Sequence, residues 1–316
     1  MGRIACIEIG SNSIRMLIAE EGRSDSPLKP ILRKRVITRL GDDFNRREPG
    51  TIKPGPMERS IAVLRDFFGT ASRFGVSSPI VMATGVVRKA LNGDSFIASI
   101  AERFGHNAKV ISGQEEAELT CKGVLSWLSH RGGPFVVFDL GGGSTEFIWS
   151  NNGRQSISIE LGVVGLTEDY LITDPPKDDE IHRLSNHIED TFRGKLDPLK
   201  ERVKEGFSMV GTGGSVVTSA KIIHGLAEDE CSDAKINGLV LRGKDLKPLF
   251  DKMKGMPREK RLNLKGLEMG REDIILAGTL MVIEIMDYFD KDEAIVSYSD
   301  LLEGSLIHYM EGERDG

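Results

Sequence analysis

The sequence predicts two α/β domains built on one plan, and three observations support this prediction. The chain has 316 residues, about twice the length of an average domain. Short apolar runs typical of strands alternate with amphipathic stretches typical of helices, as in a mixed sheet with helical crossovers. Residues 7–15 (IEIGSNSIR) also match residues 138–146 (FDLGGGSTE) at a constant offset of 131 residues. This offset predicts an internal duplication, with chance likeness of two glycine-rich hairpins as the alternative.

The first half of the chain contains five strand patterns and four helix patterns. Ser112 and Glu115 form a capping-box pattern, which predicts that a helix begins there. Strands are predicted at 4–19 (two strands around a Gly-Ser turn), 36–39, 79–83 and 109–111, and helices at 56–74, around Arg88, at 94–104 and from 112 onward.

The second half repeats the strand–turn–strand pattern and continues in the same alternation. Its final apolar helix is too short to cross a bilayer, because its apolar run of 13 residues (274–286) also contains Glu284. Strands are predicted at 135–140, 146–150, 160–164, 209–210 and 294–297, helices in the 180s and at 273–288 and 301–310, and a basic loop at 252–265.

Composition and charge restrict the possible partners. Lys and Arg total 42 against 48 Asp and Glu, so the net charge is −6 and a general nucleic-acid-binding role is disfavoured. The N-terminus does not have the layout of a signal peptide, and the three cysteines are scattered. We therefore expect a cytoplasmic protein with no nucleic-acid partner and no membrane segment.

Three glycine-rich turns, GSNS, GGGST and GTGGS, each follow a predicted strand. Glycines let the backbone approach a ligand closely and direct successive N–H groups at an anion, and the hydroxyl groups beside them add donors. A phosphate chain usually arrives with Mg²⁺, which prefers oxygen ligands, so Asp139, Glu8 and Glu146 are candidate metal ligands. The alternative for Glu8 and Asp139 is a buried acid that caps its own turn. Neither a Walker A motif nor a dinucleotide G-x-G-x-x-G motif is present.

Seven segments together resemble the Ppx/GppA phosphatases, which are exopolyphosphatases and guanosine pentaphosphate phosphohydrolases. The segments are IEIGSNSIRM, ATGVVRKALNG, ISGQEEAEL, FDLGGGSTEFI, ELGVVGLTE, GTGGS and SYSDLLEGSL. The resemblance implies the two-domain actin, sugar-kinase and Hsp70 fold (ribonuclease H-like) with an interdomain cleft. It places domain I at 1–125, with a returning C-terminal helix at 303–316, and domain II at 126–302. The chain is similar to short members, which lack an extra C-terminal helical domain.

The resemblance also suggests which residues carry the chemistry. Glu116, the second glutamate of EEA, corresponds to the family's catalytic acid and is expected to orient or deprotonate the attacking water. Arg88 corresponds to a phosphate-binding arginine, whose forked guanidinium suits phosphate oxygens. Mg²⁺ or Mn²⁺ is the expected metal. The remaining expected phosphate-binding residues lie in the three turns: Ser11, Asn12, Ser13, Gly142, Gly143, Ser144, Thr145, Gly213 and Gly214.

The substrate is expected to be polyphosphate or guanosine pentaphosphate, since both present a terminal phosphoanhydride. Six positive charges in residues 252–265 favour polyphosphate, although a solvated basic loop explains them equally well. A non-catalytic nucleotide or alarmone sensor and an ATP-dependent kinase of the same fold are the alternatives. Members of the family are commonly dimers, so a homodimer is expected.

Overall fold

A computed structural model describes residues 2–23, 26–42, 44, 50–128, 133–150, 154–203 and 206–315. The chain divides into two compact units: unit 1 comprises Met1–Ser129 and Ser299–Gly316, and unit 2 comprises His130–Tyr298. The domain limits expected from the sequence, after residue 125 and before residue 303, each lie four residues from these divisions. Residue 316 of the expected returning helix lies outside the described residues.

Unit 1 contains a five-stranded sheet in the order β3-β2-β1-β4-β5. The first three strands form an antiparallel meander, and β4 and β5 then add parallel to β1. The central strand is apolar and almost wholly buried, as expected for a strand covered on both faces. The strands are β1 (Arg3–Ile9), β2 (Ser13–Arg23), β3 (Ser26–Ile37), β4 (Ile80–Ala83) and β5 (Lys109–Val110).

Unit 2 contains a six-stranded sheet with the same plan, in the order β10-β11-β9-β6-β7-β8. Here β6, β7 and β8 form the antiparallel meander, β9 and β11 add in parallel, and β10 closes the edge antiparallel to β11. The strands are β6 (Phe135–Leu140), β7 (Thr145–Ser150), β8 (Arg154–Ile159), β9 (Ser208–Thr212), β10 (Val240–Arg242) and β11 (Glu293–Val296).

The two meanders superimpose in register at the offset found in the sequence. Glu8 lies opposite Arg15 in β1–β2, and Asp139 lies opposite Glu146 in β6–β7. Each member of the second pair is 131 residues after its counterpart. The internal duplication is therefore confirmed in strand order and in residue register.

Helices cover both sheets, and the C-terminal helix belongs to unit 1. They are α1 (Pro54–Arg73), α2 (Gly85–Lys89), α3 (Gly93–Phe104), α4 (Gly113–Leu128), α5 (Val163–Tyr170), α6 (Asp178–Lys200), α7 (Gly214–His224), α8 (Asp233–Ile236), α9 (Gly243–Lys254), α10 (Arg258–Arg261), α11 (Ile275–Tyr288) and α12 (Leu301–Asp315). Among the described residues, no helix combines the length and apolarity needed to cross a membrane.

Two strand predictions are corrected by the structure. The strand predicted at 160–164 is wrong, because β8 ends at Ile159 and α5 begins at Val163. A short apolar run does not distinguish a buried strand from a buried helix turn, and Val163 and Val164 are buried in the first turn of α5. The strand predicted at 36–39 is the end of β3. The rest of β3 was not predicted, because its sequence is charged and contains Pro. Charges and Pro are typical of an edge strand, where they prevent pairing with another chain.

Candidate active site

The first glycine-rich turn, between β1 and β2, is held tightly to the β4–α2 connection. Gly10 N donates to Ser13 O at 3.1 Å. The Ser11 hydroxyl oxygen accepts a hydrogen bond from Val86 N at 2.9 Å. A Cβ on Gly85, whose φ is +46°, would overlap this hydroxyl. Asn12 is buried, and its Nδ2 has no hydrogen-bond partner among the described residues, so the turn presents an amide donor that suits a phosphate oxygen.

The second turn, between β6 and β7, has the same hydrogen bond, from Gly141 N to Ser144 O at 3.0 Å. The start of α5 packs on this turn, with Val164 N donating to Gly142 O at 3.0 Å. A side chain at Gly162 would overlap the turn backbone. The buried Thr145 hydroxyl donates to Leu161 O at 2.5 Å, so its proton is used within the fold, and a phosphate-binding role for Thr145 stays a prediction.

The third turn joins β9 to the 11-residue helix α7 and lies beside Asp139. Gly213 has φ +96°, and a Cβ there would lie 2.9 Å from Asp139 Oδ1. The Oγ1 of Thr212, opposite Asp139 in the sheet, is buried without a hydrogen-bond partner among the described residues, as is the Oγ of Ser215. The N-terminus of α7 therefore combines free N–H groups with unpaired hydroxyls next to a carboxylate.

Arg271 is a site residue that the sequence analysis missed. A Cβ on Gly214 would overlap its guanidinium, so glycine at this position makes room for the arginine at the start of α7. Arg271 is buried, and its Nε donates to Glu268 Oε2 at 2.9 Å. The signal available in the sequence was a charged Arg-Glu-Asp triplet immediately before the most apolar helix of the chain, α11.

The candidate catalytic acid Glu116 is buried in the first turn of α4. Arg88 Nη1 donates to Glu116 Oε2 at 2.9 Å and to Ile111 O at 2.8 Å. The structure thus brings together Glu116 and Arg88, which were predicted separately. The neighbouring Glu115 is part of the helix start, since its N–H donates to Ser112 Oγ at 3.1 Å, which confirms the capping by Ser112.

Glu8 is engaged in an ion pair that the sequence did not predict. Arg15, opposite Glu8 in the hairpin, bonds to the carboxylates of both Glu8 and Asp300. Burial raises the pKa of Glu8, and the guanidinium of Arg15 opposes this effect. Burial also acts to raise the pKa of Asp300, but Arg15 and Arg33 outweigh it and hold that pKa below its ordinary value.

Asp139 and Glu146 form the corresponding pair in the second hairpin, and both are acids. Residues opposite each other in an antiparallel pair have Cβ atoms about 4.5–5.5 Å apart on one face of the sheet. Both side chains are buried, and Ser158 Oγ donates to Glu146 Oε1 at 2.7 Å. Within the described ranges, no cluster of three or more His, Cys, Asp or Glu side chains is arranged to hold a metal ion. Two carboxylates nevertheless fit Mg²⁺, which retains several waters and shares its coordination with substrate phosphates.

The basic stretch is less available to a polyanion than its sequence suggests. Arg261 is buried and donates to Met253 O at 3.1 Å and to Glu272 O at 3.0 Å. Lys254 pairs with Asp251, and Lys265 pairs with Glu230. Only part of the predicted track therefore carries charge that is not already balanced.

Each of the two sheets carries an equivalent glycine-rich hairpin, and in unit 1 the buried Glu116 is bonded to the partly buried Arg88. These features indicate an α/β protein that handles phosphate. The model of the Ppx/GppA phosphatase family matches residues 17–313. The chain belongs to this family. The matched range begins after the first glycine-rich turn, so that turn is assigned by its geometry and by the duplication.

Relatives and solved structures agree with this membership. Exopolyphosphatase 2 of Mycobacterium tuberculosis is 31% identical over 319 residues, which cover 96% of this chain and 98% of that protein. The bifunctional 3-dehydroquinate synthase/phosphatase of Fusobacterium nucleatum is 30% identical over 98% of this chain, which spans only 47% of that protein. The Ppx/GppA family member of Aquifex aeolicus has a TM-score of 0.78 at 30% identity, with 98% of each chain covered. An exopolyphosphatase-like protein has a TM-score of 0.87 at 26% identity, with 97% of each chain covered. These structures confirm the predicted fold class.

Proposed function

We propose that this phosphohydrolase releases terminal phosphate from inorganic polyphosphate, with Glu116 orienting and deprotonating the attacking water. The observation that carries the proposal is the buried Glu116 carboxylate, fixed at the start of α4 by Arg88. A general base must be held at a defined position, and the hydrogen bond from Arg88 Nη1, which is itself anchored to Ile111 O, does this. Family membership supports hydrolysis, and the name exopolyphosphatase, borne by the Mycobacterium relative, supports polyphosphate.

Each unit carries its own donors for phosphoryl oxygens in this proposal. Asn12 Nδ2 is the clearest donor of unit 1, because it is buried and unpaired within the described chain. The N–H groups at the start of α7 and the Arg271 guanidinium supply donors in unit 2. Such preorganised donors stabilise charge that develops on the non-bridging oxygens. Arg88 Nη1 holds Glu116, while Nε and Nη2 of Arg88 have no partner among the described residues and can donate to a phosphate oxygen.

Asp139 and Glu146 would hold Mg²⁺ or Mn²⁺ together with substrate oxygens. Bound there, the ion supplies positive charge that offsets the negative charge of the phosphate chain. Glu8 is assigned to its ion pair with Arg15 and not to the metal. Asp139 also lies against the start of α7, close to the proposed phosphate-binding N–H groups.

Phosphate release tests the proposal when substrates and variants are compared together. The wild-type protein is assayed with short polyphosphate, long polyphosphate, guanosine pentaphosphate and ATP, with and without Mg²⁺. Glu116→Gln is expected to lower kcat by about 100-fold to 10,000-fold, the usual contribution of a general base. Glu115→Gln is the matched control and is expected to keep kcat, since Glu115 pairs with Lys109 at the surface.

Each alternative has its own outcome in this assay. Release from guanosine pentaphosphate and not from polyphosphate would overturn the proposed substrate and keep the hydrolase. No release from any substrate, with nucleotide binding retained, would favour the sensor. Nucleotide-dependent transfer to a sugar would favour the kinase. The homodimer implied by the resemblance stays a prediction, which sedimentation velocity tests.

A further inference from the structure

The start of α12 carries a carboxylate that reaches back to the first hairpin. Asp300 is buried, and its Oδ2 accepts a hydrogen bond from Arg15 Nη1. Its Oδ1 accepts from Leu302 N at 3.1 Å, so the carboxylate is oriented by its own helix. Arg15 in turn holds Glu8, two residues before Gly10 of the glycine-rich turn. The C-terminal segment thus contacts the strands that carry this turn.

The same segment is in backbone contact with α4, the helix that carries Glu116. A Cβ on Gly123 would overlap the carbonyl of Asp300, and a Cβ on Gly304 would overlap the carbonyl of Leu119. The two helices therefore cross with no side chain between them at this point. Gly123 lies seven residues after Glu116, which is two helical turns along α4.

A second buried ion pair fixes the conformation of this segment. Asp300 N donates to Glu303 Oε2 at 2.8 Å. The other oxygen of Glu303 pairs with Arg33 of β3. Buried charges that are paired and hydrogen-bonded resist displacement, because any movement leaves a charge without compensation.

We propose that Asp300 and the Gly123–Gly304 crossing are positioning groups, which set the place of Glu116 relative to the first glycine-rich turn. Residues 300–304 contact the hairpin through a buried ion pair and α4 through direct backbone packing. Close-packed backbones leave no space for α4 to slide, so a change at Asp300 is transmitted to both neighbours. This inference rests on the proposed function of Glu116.

Two substitutions of Asp300 test the proposal. Asp300→Asn removes the charge that holds Arg15, and Asp300→Glu keeps the charge but moves it by one methylene. Both are expected to lower kcat for phosphate release by about 10-fold to 100-fold with KM changed less than about twofold, the cost of a misplaced catalytic group. If Asp300→Asn does not fold, Asp300→Glu decides, since it leaves no buried charge uncompensated.

Leu306→Ala is the control for a purely structural role. Leu306 is fully buried on α12, and its truncation is expected to lower the Tm by several degrees without changing the Asp300 carboxylate or the glycine crossing. It is expected to keep kcat within about twofold at a temperature where it is folded.

The outcomes separate this inference from the proposed function. A wild-type protein that releases no phosphate from any substrate contradicts the function of Glu116. An active wild-type protein whose two Asp300 variants keep kcat contradicts the positioning role alone. A Leu306→Ala variant that loses kcat as strongly as Asp300→Glu would also overturn it, because general destabilisation would then explain the effect.

Discussion

The β1–β2 and β6–β7 hairpins have the same register and the same turn hydrogen bond, yet they place different charges at equivalent positions. In the first hairpin, Glu8 faces Arg15, which is also bonded to Asp300. In the second, Asp139 faces Glu146. An acid facing an arginine is an internally balanced pair, whereas two facing acids place two negative charges on one face of the sheet, which suits a bound cation. The duplicated backbone thus carries two charge patterns: an ion pair in the first hairpin and, in the second, a pair of acids that we propose as metal ligands.

The largest expected effect comes from removing one acid of the second pair. Asp139→Asn is expected to lower phosphate release by about 100-fold or more at a fixed Mg²⁺ concentration, the usual cost of losing one electrostatic stabiliser. Part of the loss is expected to be recovered at high Mg²⁺, because the change weakens metal binding first. Titrating Mg²⁺ against rate measures this, and a loss that does not depend on Mg²⁺ would count against the metal assignment.

Stability is expected to respond unequally to substitutions in the two hairpins. Arg15→Gln leaves the buried Glu8 and Asp300 carboxylates without their shared partner and should cost about 3–5 kcal/mol. Glu146→Gln relieves repulsion between two acids and should change the free energy of unfolding by less than about 1 kcal/mol. Urea denaturation of both variants without metal provides the comparison. Similar losses would contradict the difference in charge pairing.

Two neighbouring hydroxyl groups of the second turn are expected to have different roles, one in stability and the other in substrate binding. Thr145→Val removes the hydrogen bond to Leu161 O and is expected to cost about 1–3 kcal/mol of stability with an unchanged KM. Ser144→Ala, one residue earlier, is expected to raise KM with little effect on unfolding. Steady-state kinetics and urea denaturation of the two variants test this, and a KM effect confined to Thr145→Val would reverse the assignment.

The smallest expected effect is on the pH dependence of unfolding. Since the folded state lowers the pKa of Asp300 below its ordinary value of 3.8, this residue stabilises the fold above that value. Its contribution is lost as the pH falls through the lowered folded pKa. The difference in unfolding free energy between wild type and Asp300→Asn should therefore shrink as the pH is lowered below 3.8. A difference that is constant with pH would show that the charge of Asp300 contributes nothing.

Much of the fold was predictable because the sequence contains an internal repeat. The repeat at an offset of 131 residues predicted two equivalent hairpins, and the family motifs predicted the position of Glu116. The ion pair of Arg15 with Asp300 was not predictable, because it joins residues 285 positions apart and the motifs that contain them do not indicate that the two side chains meet. The hydrogen bond from Thr145 to Leu161 O was not predictable for a related reason, since Leu161 lies in a segment that was predicted as a strand.

Arg271 shows the limit of motif-based prediction most directly. The GTGGS turn was recognised as a phosphate-binding pattern. However, Arg271, which occupies the space that a side chain at Gly214 would fill, lies 57 positions later in the sequence. A glycine predicts that something approaches closely, without indicating what approaches. The structure identifies it as a guanidinium.

Metal binding at the two hairpins is the most direct test of the difference between them. Electron paramagnetic resonance of Mn²⁺ in the presence of inorganic phosphate counts the ions bound by wild type, Asp139→Asn and Glu8→Gln. We expect one ion bound by the wild type, loss of that ion in Asp139→Asn, and retention in Glu8→Gln. Retention in Asp139→Asn together with loss in Glu8→Gln would place the metal at the first hairpin and contradict the account.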